Sequence, residues 1–184
     1  MEIKLIYMWL GIFGLAFFLI SVVELIFNLI FNIAITMNLS SDNLPIGDVI
    51  FTSGFMPIHA ILIEVIIIST TLIFMALGAI VFFISRKKGF HELNLAKYLL
   101  LIGLFLILGG FFKMTFLTFL GKTEIIAGTT SIQFQDAVYN QSITPLFGAI
   151  IWMYFIGAIC SFLISGIIIA AVGLKWILNL QEKK

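Results

Sequence analysis

Charge is what this sequence has least of. Acidic and basic residues make up 10% of it, against about 25% in soluble domains, and 62% of the chain is hydrophobic. So little charge cannot clothe a water-soluble globule, and the composition predicts an integral protein of the cell membrane, residues 1–184 forming one domain. A formal net charge of +1 gives no reason to invoke nucleic acid or an acidic substrate. Cysteine is almost missing: Cys160 alone excludes an internal disulfide, and in its apolar run it reads as a small core residue. Only two histidines occur, His59 and His91. The threading below puts them on opposite sides of the membrane, so one copy cannot build a two-histidine haem or iron site. No GxSxG, Walker, zincin or CxxC pattern occurs, so no catalytic constellation is complete and no cofactor is indicated.

What remains is apolar sequence in four long runs, residues 5–37, 57–85, 96–120 and 145–179. Each exceeds the roughly 20 residues needed to cross a hydrocarbon core of ~30 Å as a helix, and none is long enough to cross twice. The first run is also longer than the core of a cleavable signal and reads as a retained anchor. Pro45, Gly47, Gly54 and Pro57 mark turns in the first connector, as do Gly121 and Gly128 in the third. Lys4, Arg86, Lys87, Lys88, Lys97, Lys175, Lys183 and Lys184 fall on one side of this threading, which predicts that side, with both termini, to be cytoplasmic. The two longer loops then lie outside the cell, carrying Asp42, Asp48, Glu124 and Asp136 against Lys122. The sequons at Asn38 and Asn140 fall in the same loops as possible glycosylation sites. The expected fold is all-α, an up-down bundle of four transmembrane helices. No internal repeat is visible at this level.

Against this background a few polar residues stand out. Ser21, Glu24, Asn28, Asn32 and Thr36 recur at helical spacing on one face of the first span. At ~1.5 Å per residue, Glu24 and Lys113 both lie about 22–26 Å above the inner edge. Glu64 descends to a similar level on the second span, with His59 just above it. The sequence therefore predicts an intramembrane cluster of Glu24, Asn28, Glu64, Lys113 and His59 in the outer leaflet, because buried charges need partners. Two carboxylates face one lysine, so the surplus acid must be neutralised by a proton, a hydrogen-bonding neighbour or a cation. Were a metal bound, its ligands would come from His59, Glu64, Glu24 and Asp48. Gly157, Ser161 and Ser165, followed by Gly166 and Ala170, offer small residues for close helix crossings, within the chain or with a second subunit. Gly11, Gly14, Gly109 and Gly110 suggest further crossings.

The segment GFMPIHA, residues 54–60, follows an acidic loop and resembles the C subunit of copper membrane monooxygenases. That family has a Pro-x-His at the start of a helix and an upstream Asp-x-x-x-His. On its spacing Asp42 takes the aspartate position and His59 the later histidine, while Ile46 occupies the middle ligand position and nothing near Lys113 corresponds to the second ligand cluster. The resemblance covers about ten residues and implies a metal- or quinol-linked oxidoreductase subunit. Two other roles remain open. One is a non-catalytic subunit of a larger membrane assembly, its helices held by the Glu/Lys/Asn cluster and its partners being the bilayer, other membrane subunits or itself. The other is a component that transports protons, cations or small molecules.

Overall fold

A computed structural model describes residues 3–39, 42–51, 54–87, 91–127, 130–140 and 142–182. Ser40, Lys88, Gly128, Gln141, Lys183 and Lys184, which enter the threading and the sequons, lie outside the described residues. Among the described residues, four helices are long and apolar enough to cross a membrane: α1 (Ile3–Ala34), α3 (His59–Arg86), α4 (Glu92–Lys122) and α6 (Pro145–Gln181). Their ends follow local chemistry. Pro57 precedes α3 and Pro145 opens α6, where a missing N–H and a fixed φ do no harm. Glu92 in the first turn of α4 and Lys122 in its last complement the helix dipole.

The two longer loops are more ordered than the sequence suggested. The first is a hairpin, β1 (Thr36–Leu39) and β2 (Asp42–Pro45), continuing into the short helix α2 (Ile46–Phe51). The second is a hairpin, β3 (Glu124–Ala127) and β4 (Thr130–Gln133), continuing into α5 (Phe134–Asn140). The first apolar run therefore stops being helical at Ala34 instead of Met37, because Thr36 to Leu39 pair with the returning strand.

These loops reveal an internal duplication. An offset of 88 residues carries the pairing Thr36↔Pro45 onto Glu124↔Gln133, and Leu39↔Asp42 onto Ala127↔Thr130. The same offset carries the bond donated by the Ile46 amide to the Ile35 carbonyl (2.9 Å) onto that donated by Phe134 to Thr123 (2.8 Å). It also superposes Asp48 on Asp136, Pro57 on Pro145, Phe74 on Phe162 and Gly78 on Gly166. The chain is thus a helix–hairpin–short helix–helix motif written twice. The two copies clasp each other reciprocally. The Ile143 amide donates to the Thr36 carbonyl (3.0 Å) beside a bridge between Met37 and Ser142, and the Ile126 amide donates to the Phe55 carbonyl (2.9 Å). In each case the first strand of one copy meets the linker that follows the other copy's short helix, the mutual contact expected of a two-fold relation.

The chain packs as two units. One comprises Met1–Val22, Leu72–Phe112 and Ala158–Lys184 and is held by backbone contact at glycines. A Cβ on Gly14 would sit 2.5 Å from the Phe82 nitrogen and 2.9 Å from the Gly78 oxygen; one on Gly103 would sit 2.4 Å from the Ala170 nitrogen and 2.7 Å from the Gly166 oxygen. These are the same crossing in the two copies, α1 on α3 and α4 on α6, both antiparallel. Here α1 and α4 correspond at an offset of 89, so α4 is one residue shorter than α1 before its hairpin. The buried pairs Phe17/Leu106 and Phe31/Leu120 keep the same phase. Phe74 and its counterpart Phe162 stack on one another with ring centroids 4.5 Å apart. Within the chain no crossing forms at Gly157, where a Cβ would meet nothing within 4 Å; a crossing with a second subunit is the alternative that this face leaves open. Gly166 and Gly173 make the close contacts on α6 instead, because they, unlike Gly157, lie on its buried face.

The other unit comprises Val23–Thr71 and Lys113–Gly157. Its apolar core gathers Phe31, Phe134, Trp152 and Phe155 at ring separations of 5.8–6.2 Å. Residues Met37, Ile46, Val49, Ile125, Ala137 and Val138 bury the inner faces of the hairpins and short helices. This unit also contains the polar cluster.

Candidate functional site

The α-helical repeat places Glu24, Asn28 and Asn32 one turn apart along a single face of α1. In this unit α3 contributes Glu64 and Thr71, and α4 contributes Lys113. The Lys113 ammonium lies 2.6 Å from Glu24 Oε1 and donates to Thr71 Oγ1 at 2.5 Å. Thr71 in turn donates to the Ile67 carbonyl at 3.0 Å, which leaves its oxygen lone pairs for the lysine. Glu64 is held differently. Its Oε1 accepts from Asn28 Nδ2 at 2.8 Å and from Asn32 Nδ2 at 3.2 Å. Asn32 Nδ2 also reaches the Asn28 carbonyl (2.9 Å) and Asn28 Oδ1 (3.2 Å), so its two hydrogens are shared among three acceptors.

Burial makes this arrangement consequential. Glu24 and Glu64 are each 2% exposed and Lys113 is fully buried. Breaking a buried ion pair by deleting one partner costs about 3–5 kcal/mol, because the other charge is stranded. The network is two adjoining sets: Lys113 pairs with Glu24 and bonds Thr71, while Glu64 is held by Asn28 and Asn32. Three spans therefore contribute, α1, α3 and α4, and two carboxylates stand against one ammonium. Nearby, Tyr154 on α6 packs its ring edge-on against Phe27 at 4.7 Å.

The ion pair has a position in the duplication. At the offset of 89 that equates Gly14 with Gly103, Glu24 and Lys113 are equivalent residues, both buried. They meet as Phe74 and Phe162 meet, each against its own counterpart. Two identical copies would have set carboxylate against carboxylate or ammonium against ammonium; the divergence of the copies replaces that repulsion with an attraction.

Thr71 was missed in the sequence. Thr71 had one available signal, the run Ser69-Thr70-Thr71 in the middle of an apolar span. His59 does not join the network. It is exposed as the first residue of α3, about one and a half turns from Glu64, and borders a recess of about 370 Å³ with Phe55, Pro57 and Glu124. Asp48 is exposed in the first turn of α2. Among the described residues, no group of three or more His, Cys, Asp or Glu side chains is placed to hold a metal ion, so His59, Glu64, Glu24 and Asp48 do not come together. Asn38 and Asn140 are exposed, whereas Ser142 of the second sequon is buried. Ser161 donates to the Ala158 carbonyl of its own helix (2.7 Å), and Ser165 is half-buried. Cys160 is a free, half-buried thiol.

Comparison with protein-family models, curated proteins and solved structures finds no match. The resemblance of residues 54–60 to copper membrane monooxygenases thus gains no family match, and the fully buried Ile46 side chain at its middle ligand position offers no donor.

Proposed function

We propose that this protein is a non-catalytic, membrane-embedded subunit of a larger assembly, with its duplicated helix pairs locked together by the Glu24–Lys113–Thr71 and Glu64–Asn28–Asn32 contacts. The observation that carries this reading is how the buried charges are used. Glu24 and Lys113 are engaged with each other and Glu64 with amides of the same chain, an arrangement suited to fixing helix register. On this reading the termini are cytoplasmic, as the distribution of Lys and Arg suggests, and the hairpins and short helices lie outside the cell as a surface for docking a partner. Extraction in mild detergent followed by native electrophoresis and mass spectrometry tests this: stoichiometric co-migrating membrane proteins are expected, and a monodisperse single chain overturns it.

A second reading, transport of a proton or monovalent cation, is favoured by one specific feature, the surplus of one carboxylate over the ammonium. Repeated transporters often bind their ions where the repeats meet, and Glu24 and Lys113 come one from each copy. Under this reading Glu64→Gln abolishes cation-driven flux in liposomes. Equal flux in the variant and the unaltered protein excludes it.

A further inference from the structure

Three oxygens converge on one point of the polar cluster. The Asn28 carbonyl, Asn28 Oδ1 and Glu64 Oε1 lie 2.9, 3.2 and 3.2 Å from the Asn32 amide nitrogen, which has two hydrogens to offer them. The other end of the same amide lacks a donor: Asn32 Oδ1 is buried and, among the described residues, accepts no hydrogen bond. Acceptors are thus in excess. Negative charge is in excess as well. Lys113 lies 2.6 Å from Glu24, whereas the buried Glu64 forms no salt bridge among the described residues. Amide dipoles hold its charge, and an ion without a counter-ion is costly in an apolar interior. A single cation that binds oxygen answers both excesses.

The two ends of a carboxamide are nearly the same size, so a half-turn of the Asn32 amide exchanges nitrogen for oxygen with little steric cost. Oδ1 then stands at the 2.9–3.2 Å that now separates Nδ2 from the three oxygens. Neighbouring ligands of an octahedral ion stand apart by about 1.4 times the metal–oxygen distance, so this spacing suits bonds of about 2.1–2.3 Å. Magnesium approaches that length, but it keeps most of its water and brings two charges to a site with one to neutralise. Sodium is the small ion of single charge.

We infer that Glu64, Asn28 and Asn32 form a binding site for one sodium ion, held by Glu64 Oε1, Asn28 Oδ1, the Asn28 carbonyl and Asn32 Oδ1. The inference rests on the cation reading above, which it deepens by naming the ion and its ligands. The site lies at the loop end of α1, directly beneath α2: a Cβ on Gly47 would sit 2.9 Å from the Asn32 carbonyl oxygen, so the ion need not cross the bundle to reach it. The second copy has Leu117, Gly121 and Trp152 at the matching positions, so one ion is expected per chain.

Titration of the full chain in detergent with sodium chloride, choline chloride holding the ionic strength constant, tests the site. A melting temperature that rises and saturates is expected, since a ligand of the folded state stabilises it, together with one radiolabelled sodium bound per chain. Potassium, the larger ion, is expected to require concentrations on the order of tenfold higher. Glu64→Gln, melting like the unaltered protein in choline alone, is expected to lose both the sodium effect and the bound ion. Asn32→Ala is expected to weaken binding on the order of tenfold. Absence of bound sodium in the unaltered protein overturns the inference, as does a sodium effect that survives Glu64→Gln or that potassium reproduces at equal concentration. Sodium bound without sodium flux in liposomes upholds the inference and removes the transport reading. Flux driven by a pH gradient and lost in Glu64→Gln, with no sodium bound, overturns the inference and leaves the transport reading with the proton as its ion.

Discussion

The two copies of the motif share a scaffold and divide the polar residues very unequally. Glu24, Asn28, Asn32, Glu64 and Thr71 belong to the first copy, and Lys113 alone to the second. At the positions matching Glu64 and Thr71 the second copy has Trp152 and Ile159, both buried, and Trp152 packs on Phe31 and Phe134. The motif therefore folds with an apolar interior at these sites, and the acids of the first copy are additions to it. Glycine crossings and aromatic stacking supply what the copies have in common.

The largest test of this contrast is at the ion pair. Lys113→Met strands Glu24 in the interior and is expected to cost about 3–5 kcal/mol, read as a shift in unfolding by denaturing detergent in mixed micelles. The double variant Glu24→Met/Lys113→Met removes both charges together and is expected to recover most of that loss. If the double variant is as unstable as the single one, the pair is required for folding and is not an addition to an apolar motif.

The shared scaffold predicts a matched pair of smaller effects. Gly14→Ala and Gly103→Ala each push a methyl into the backbone of the facing helix and are expected to destabilise by about 1–3 kcal/mol each. Gly157→Ala, facing open space, is expected to be neutral or to gain up to about 1 kcal/mol from helix propensity. Unequal losses at Gly14 and Gly103 would mean that the two copies are not equivalent at their crossings.

Much of this was legible in the sequence for a simple reason. In an apolar chain each charge is conspicuous, and ~1.5 Å of rise per residue is enough to place Glu24 and Lys113 at one height. Lys113 has no soluble alternative, so an acid had to be near it. The hairpins were not legible because four-residue strands such as Thr36–Leu39 are too short for a period of two to stand out beside a 32-residue helix. The duplication was hidden because one apolar residue substitutes for another almost throughout. Its surviving landmarks, Asp48/Asp136, Pro57/Pro145 and Gly78/Gly166, become visible only once the hairpins fix the offset. The Gly157–Ser161–Ser165 series left its partner open for a related reason: four-residue spacing gives a face of the helix without saying which way that face points, and Gly157 faces away from the chain's other helices.

The smallest effect expected is at Glu64, and it separates architecture from ion handling. Glu64→Gln keeps the length of the side chain and leaves a carbonyl oxygen to accept from Asn28 and Asn32, so the contacts at 2.8 and 3.2 Å survive in kind. What disappears is the surplus negative charge. Exchange of a charged acceptor for a neutral one forfeits on the order of 1 kcal/mol, offset by relief from holding an ion in the interior, so a net change below about 1 kcal/mol is expected. Asn32→Ala removes one of the two amides instead and is expected to cost about 1 kcal/mol. A Glu64→Gln protein that melts like the unaltered one makes the charge dispensable to the fold. Loss of several kcal/mol would instead make the Glu64 carboxylate as integral to the bundle as Lys113, leaving no room to treat it as a group free to exchange a proton or cation.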